Sequence, residues 1–185
     1  MLSLTKSTQR KCKEIPRGFS LIELLVVVAI ILIIAAIAVP QLLNARIAAN
    51  EAAAAENVRT VTTAALVYSS TYGNGFPPNL ATLGGPPGGT ANCNQSILID
   101  ELISAAPNQK SGYLFAYTAV GPPVAAVTGC GTPGSNAYLV TGAPMVEYIT
   151  GLRSFCSDEP GTIRYNGTGL APTTQSECEA LLNLQ

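Results

Sequence analysis

From Phe19 the chain reads FSLIELLVVVAIILIIAAIAVP, and all sixteen residues from Leu24 to Val39 are apolar. Only Ser20 and Glu23 interrupt the stretch. As a helix rising ~1.5 Å per residue, residues 19–39 are long enough to cross a hydrocarbon core of ~30 Å. Beyond Gln41 the pattern changes. Leu43, Ile47, Ala54, Val58, Val61, Ala65, Tyr68 and Tyr72 recur in three- and four-residue steps, with Arg46, Asn50, Glu51, Glu56, Asn57 and Arg59 around them. That is one apolar stripe on a polar helix. No Gly or Pro falls between Gln41 and Tyr72, so a single helix from Phe19 to Tyr72 is predicted, about 80 Å long. Pro40 removes one helical hydrogen bond and is the predicted kink.

After Tyr72 the pattern shortens. The Gly- and Pro-rich stretch GNGFPPNLATLGGPPGG ends the long helix as a loop. Ser96–Ala105, SILIDELISA, has helical spacing and predicts a short helix. Tyr113–Val120, Ala137–Gly142, Gly151–Ser157 and Thr162–Tyr165 read as strands bounded by Gly and Pro, with a turn at Asp158–Gly161. The expected fold class is therefore α+β: a long N-terminal helix with its apolar first half protruding and its second half packed on a small antiparallel sheet. The expected division is a leader at 1–18, a membrane or core helix at 19–40, an amphipathic helix at 41–72 and a globular head at 73–185.

Charge adds a boundary. Lys6, Arg10, Lys11, Lys13 and Arg17 are five of the ten Lys and Arg residues, and all precede Gly18 alongside a single acid, Glu14. A positive flank before an apolar helix keeps that end in the cytoplasm and sends the remainder outward. An ordinary secretory signal carries its small-residue cleavage site after the apolar run; here Gly18 lies before it. Cleavage after Gly18 would leave five basic and ten acidic residues, a formal charge of −5. Such a chain lacks the clustered cations that displace counterions from nucleic acid, and no nucleic acid is expected as a main partner.

Glu23 is the informative residue. A carboxylate this deep in a membrane segment costs about 3 kcal/mol on insertion scales, which an uncleaved anchor leaves unexplained. Cleavage creates a partner, the new α-amine of Phe19. In a helix, positions 19 and 23 share a face, and between subunits the same pair would set axial register.

The string RGFSLIELLVVVAIILIIAAIAVP resembles the N-terminus of type IV pilins and pseudopilins, over residues 1 to about 72. The resemblance implies cleavage between Gly18 and Phe19 by an inner-membrane prepilin peptidase and N-methylation of Phe19. It further implies pairing of Glu23 with a neighbouring subunit's amine, a bend at Pro40, and a pilin-like fold. GFPPNLATL and RSFCSDEPGTIRYNGTG resemble the post-helix segment and closing hairpin of the same proteins.

The absence of His excludes His-based triads and the usual zinc proteases. Asp100 and Glu101 are adjacent and do not face each other on a helix, so no glycosidase-type pair is supported. Asp158 and Glu159 are read as a solvated turn in preference to a calcium site, since hard cations take six or more oxygens. Asn166-Gly-Thr is read first as a turn. No enzyme activity, metal or cofactor is expected. Cys12 lies in the leader. Cys93, Cys130, Cys156 and Cys178 are spread through the exported part and lack metal-type spacing, which points to disulfides. Of the three possible pairings, joining sequence neighbours gives Cys93–Cys130 and Cys156–Cys178.

The function expected is a structural subunit of a type IV pilus or pilus-like filament, with a pseudopilin of a type II secretion system as the alternative. A membrane-anchored enzyme would leave Gly18, Phe19 and Glu23 without a role. Expected partners are other copies and related pilins, the prepilin peptidase, an inner-membrane assembly platform and the lipid bilayer. The expected location is the bacterial inner membrane, N-terminus cytoplasmic, then a filament reaching outside. Gly18→Arg is predicted to block cleavage; a mature-length band on a gel of that variant would overturn the assigned site.

Overall fold

The computed structural model describes residues 18–125 and 127–184. The leader positions before Gly18, Cys12 among them, lie outside the described residues. The described chain falls into two units that meet at Pro40 and Gln41. A single helix, α1, Leu21–Tyr72, runs through both, with Pro40 inside it. In the first unit every large apolar side chain from Phe19 to Val39 is exposed, fifteen in all.

In the second unit α1 buries Ala54, Ala55, Val58, Val61, Ala64, Ala65 and Tyr68. These side chains recur along one helical face and meet a six-stranded antiparallel sheet in which each strand pairs with the next in the chain. The strands are β1 (Gln109–Lys110), β2 (Tyr113–Pro123), β3 (Ser135–Pro144), β4 (Ser154–Asp158), β5 (Arg164–Asn166) and β6 (Leu182–Asn183). Period-two alternation sends Tyr113 and Phe115 of β2, Tyr138 and Val140 of β3 and Phe155 of β4 into one core with α1. Tyr138 stacks on Tyr117 and meets Phe76 edge-on, with centroids 5.4 Å and 4.8 Å away. Gly142 shows how close the layers lie: a Cβ there would come within 3.1 Å of the Phe115 ring and 3.3 Å of Val58. A side chain at 142 would push helix and sheet apart.

The other face of the sheet has its own small core of Leu139, Cys156 and Cys178. It is covered by α4, Gln175–Glu179, which starts on a capping box between Thr174 and Glu177. Both faces of β3 and β4 are thus covered, and every residue of β4 is buried.

Several elements depart from the expectations. Ser96–Ala105 is not one helix. Only Glu101–Ser104 is helical (α3), capped by Asp100, whose side chain accepts from the Leu102 N–H at 2.7 Å. The residues before it are irregular, with Ile97 at a φ of 53°, because Ser96, Ile97 and Leu98 donate to the carbonyls of Thr82, Gly84 and Leu83. Those carbonyls belong to or follow α2, Leu80–Leu83, a single turn inside the expected loop, capped by Asn79. Along α1 the stripe is buried from Ala54 to Tyr68 as expected, but Leu43 is exposed, and Glu51, read as a peripheral polar residue, is only 5% exposed. Asp158 is not in a solvated turn either. Its carboxylate is fully buried, with both oxygens 3.1 Å from one Arg164 nitrogen, and Glu159 is bonded to Gln175. The turn itself stands, closed by the Gly161 N–H on the Asp158 carbonyl at 2.8 Å.

Disulfides join Cys93 to Cys130 and Cys156 to Cys178, across 37 and 22 residues. Cys156 and Cys178 are fully buried, whereas Cys93 and Cys130 are partly exposed. Mild thiol reductant under native conditions should therefore open Cys93–Cys130 first. Mass spectrometry after alkylation should find label on that pair while Cys156 and Cys178 stay unlabelled until the head unfolds.

Candidate assembly site

Gly18, Phe19 and Ser20 precede α1 in non-helical backbone. Helix formation begins on the Ser20 carbonyl, which accepts from Glu23 N–H at 3.1 Å and Leu24 N–H at 3.2 Å. Ser is a preferred residue where a helix starts, because its side chain can satisfy orphan N–H groups. Phe19 therefore lies outside the helix, and the expected i, i+4 sharing of a helical face by Phe19 and Glu23 is not formed in this chain. Phe19 is 76% exposed. A Cβ at Gly18 would meet nothing within 4 Å. Among the described residues, packing does not require glycine there.

Glu23 sits in the first turn of α1. The helix dipole places partial positive charge at this end, which favours a carboxylate by about 0.3–1 kcal/mol. That is well below the cost of about 3 kcal/mol for carrying the charge into a bilayer. Among the described residues no cation lies within 4 Å of it. The dipole alone does not offset burial.

The surrounding apolar surface outweighs both. At about 1.5–3 kcal/mol per large apolar side chain, fifteen exposed ones represent some tens of kcal/mol of burial not realised among the described residues. A whole domain is stable by only about 5–15 kcal/mol. Lipid or other protein must cover residues 19–39. By length and composition α1 can cross a membrane.

Pro40 lacks the N–H that would bond to the Ala36 carbonyl, so one rung of the α1 ladder is missing. At the base of the head, Glu51 receives the N–H groups of Leu152 and Arg153 at 2.8 and 3.1 Å and an ion pair from Arg153 at 2.7 Å. The Arg153 guanidinium also lies over the Phe155 and Tyr165 rings, 5.9 and 5.4 Å from their centroids. Burial raises the proton affinity of Glu51. The Leu152 hydrogen bond, followed by those from Arg153, outweighs it and holds the carboxyl below its usual value. This anchor joins residues 102 apart. Its one local signal was a position in step with Ile47 and Ala54.

The phenols of Tyr113, Tyr117 and Tyr138 are driven upward by burial, Tyr138 to about 12, so they stay neutral at physiological pH. Among the described residues no cluster of three or more His, Cys, Asp or Glu could hold a metal ion.

Residues 16–39 match the prokaryotic N-terminal methylation motif, the prepilin-type signal of type IV pilins. The match spans Gly18, Phe19, Glu23 and the exposed apolar half of α1. The motif, with the long helix and antiparallel sheet that follow it in a pilin-like α+β architecture, supports a type IV pilin-like or pseudopilin reading. No curated protein and no solved structure matches the chain.

The Glu51 anchor has a measurable signature. Its folded-state pKa is depressed below the ordinary 4.5, so its stabilisation is complete above that value and is lost as pH falls through the depressed one. Glu51→Ala should destabilise the head by about 2 kcal/mol at pH 7. Urea unfolding in detergent should show this difference narrowing below about pH 4. A pH-independent difference would reject the charge as its source.

Proposed function

We propose that the chain is a structural subunit of a type IV pilus-like filament, made as a membrane-anchored precursor. In this reading the prepilin peptidase cuts between Gly18 and Phe19, and the new N-terminus is methylated on Phe19. An inner-membrane assembly platform then moves α1 from lipid into a bundle of other copies and related pilins. The leader is 1–18, the core helix 19–40, the amphipathic helix 41–72 and the outward-facing head 73–185. Pro40 is the point at which the helix loosens on packing.

The observation that carries the proposal is Glu23, a carboxylate without a cationic partner among the described residues, at the start of an exposed apolar helix. Cleavage after Gly18 supplies the missing cation. Phe19 lies just outside the helix, where its amine is free to meet the Glu23 of a neighbour. Pairing between copies then offsets the desolvation that would otherwise oppose burying the charge. The pseudopilus of a type II secretion system uses the same N-terminal chemistry and is the second reading. The two disulfides in the head fit an oxidising compartment outside the cytoplasm, which both readings provide.

Glu23→Ala should yield a processed, membrane-resident subunit whose filament yield falls at least about tenfold, through loss of the ion pair. Sheared-filament preparations and electron microscopy measure it, and a normal yield would refute the pairing role. Deleting the gene separates the readings: loss of surface filaments supports a pilus, and loss of export of folded proteins with filaments intact supports a pseudopilus.

A further inference from the structure

The β3–β4 connection is an ordered apolar knob. Met145, Val146, Tyr148, Ile149 and Leu152 are all exposed, Tyr148 by 72% and Ile149 by 69%. The Met145 N–H donates to the Gly112 carbonyl at 3.0 Å, the Tyr148 N–H to Gly151 at 3.0 Å and the Thr150 N–H to Val146 at 2.9 Å. The underside is fastened to α1, where the Asn50 side chain donates to the Thr150 carbonyl at 3.0 Å and Glu51 takes the Leu152 and Arg153 N–H groups. Gly151 lies so close to the Tyr113 ring that a Cβ would overlap it. Apolar anchors held out on a preformed loop lose little conformational freedom when they dock. Glu147, exposed and outside any ion pair in the described residues, sits among them.

A complementary surface lies elsewhere on the same chain. Leu42 and Leu43 of α1 are each 54% exposed, and Arg46 follows them, also exposed. Arg59, Lys110, Arg153 and Arg164 are paired with Glu56, Asp100, Glu51 and Asp158. Among the described residues Arg46 is the one Lys or Arg with no carboxylate within 4 Å. Acidic subunits repel one another, and a cation not used inside the chain is what a neighbouring acid can meet.

We infer that the knob at residues 145–152 docks on the α1 surface at Leu42, Leu43 and Arg46 of a second copy, with Glu147 facing Arg46. This rests on the filament reading above. An apolar knob carrying an acid matches an apolar strip carrying a cation. The two surfaces differ, so the contact is head-to-tail and need not close, and repeated it builds an open helical array.

The test uses full-length subunits in filaments. Leu42→Cys and Ile149→Cys chains, one of them tagged, are coexpressed and treated with a short bismaleimide, the four head cysteines being already bridged. The expected result is a mixed dimer from the coexpressed pair and none from either variant alone. Normal filaments without the mixed dimer would overturn the docking and leave the filament reading intact, as would cross-links to an unrelated protein or between two Ile149→Cys chains. If the unsubstituted chain makes no filament, both readings fall. As a second measurement, Glu147→Arg should lower filament yield about tenfold and Arg46→Glu in the same chain should restore most of it; failure to restore would remove the Glu147–Arg46 pairing.

Discussion

The rest of the molecule depends on one constraint: the first half of α1 cannot remain in water. Among the described residues nothing covers residues 19–39, so this stretch calls for an apolar environment beyond them. That requirement could be met by lipid alone were it not for Glu23. A single charge turns a segment soluble in any apolar medium into one that also needs a counter-charge at a defined depth. Apolar surface drives association without direction; in the proposed filament the carboxylate would supply it.

The head answers the opposite requirement. Its own elements cover both faces of β3 and β4, and α1 is held to the sheet by close packing at Gly142 and by the Glu51–Arg153 anchor. The anchor lies near the lower limit of the buried stripe on α1. Above it the helix belongs to a folded domain; at Leu42 and Leu43 it is bare. One continuous helix thus carries two solvation regimes, and polar chemistry at Glu51 marks their border.

Much of this was legible in the sequence for physical reasons. A run of sixteen apolar residues and a stripe in three- and four-residue steps are local patterns, and they specify a long helix with two characters. Alternation bounded by Gly and Pro located the four larger strands, with shifted ends. What escaped is non-local or very short. Glu51 looks peripheral until Arg153 is brought to it from 102 residues away. Asp158 reads as a turn acid until Arg164 folds back over it. Single-turn helices such as α2 contain too few residues for periodicity to register. Ser96–Ala105 has helical spacing, yet its first residues make better hydrogen bonds to the segment around α2. Phe19 shows the same limit, since helix starts are decided by which carbonyl first accepts, here that of Ser20. The Met145–Leu152 knob is a further case, because apolar residues in sequence do not announce that the fold will leave them outside.

The disulfides have a mechanical consequence. A subunit held through α1 and pulled through its head can lengthen only by releasing folded chain, at up to about 3.5 Å per residue. The bridges enclose 37 and 22 residues, so they withhold roughly 200 Å of contour from any such extension. The loop that contains Gly129 and the turn that contains Asp158 would stay closed even if the strands around them separated. Under load the two bridged loops stay short, and any length released must come from the unbridged stretches around them.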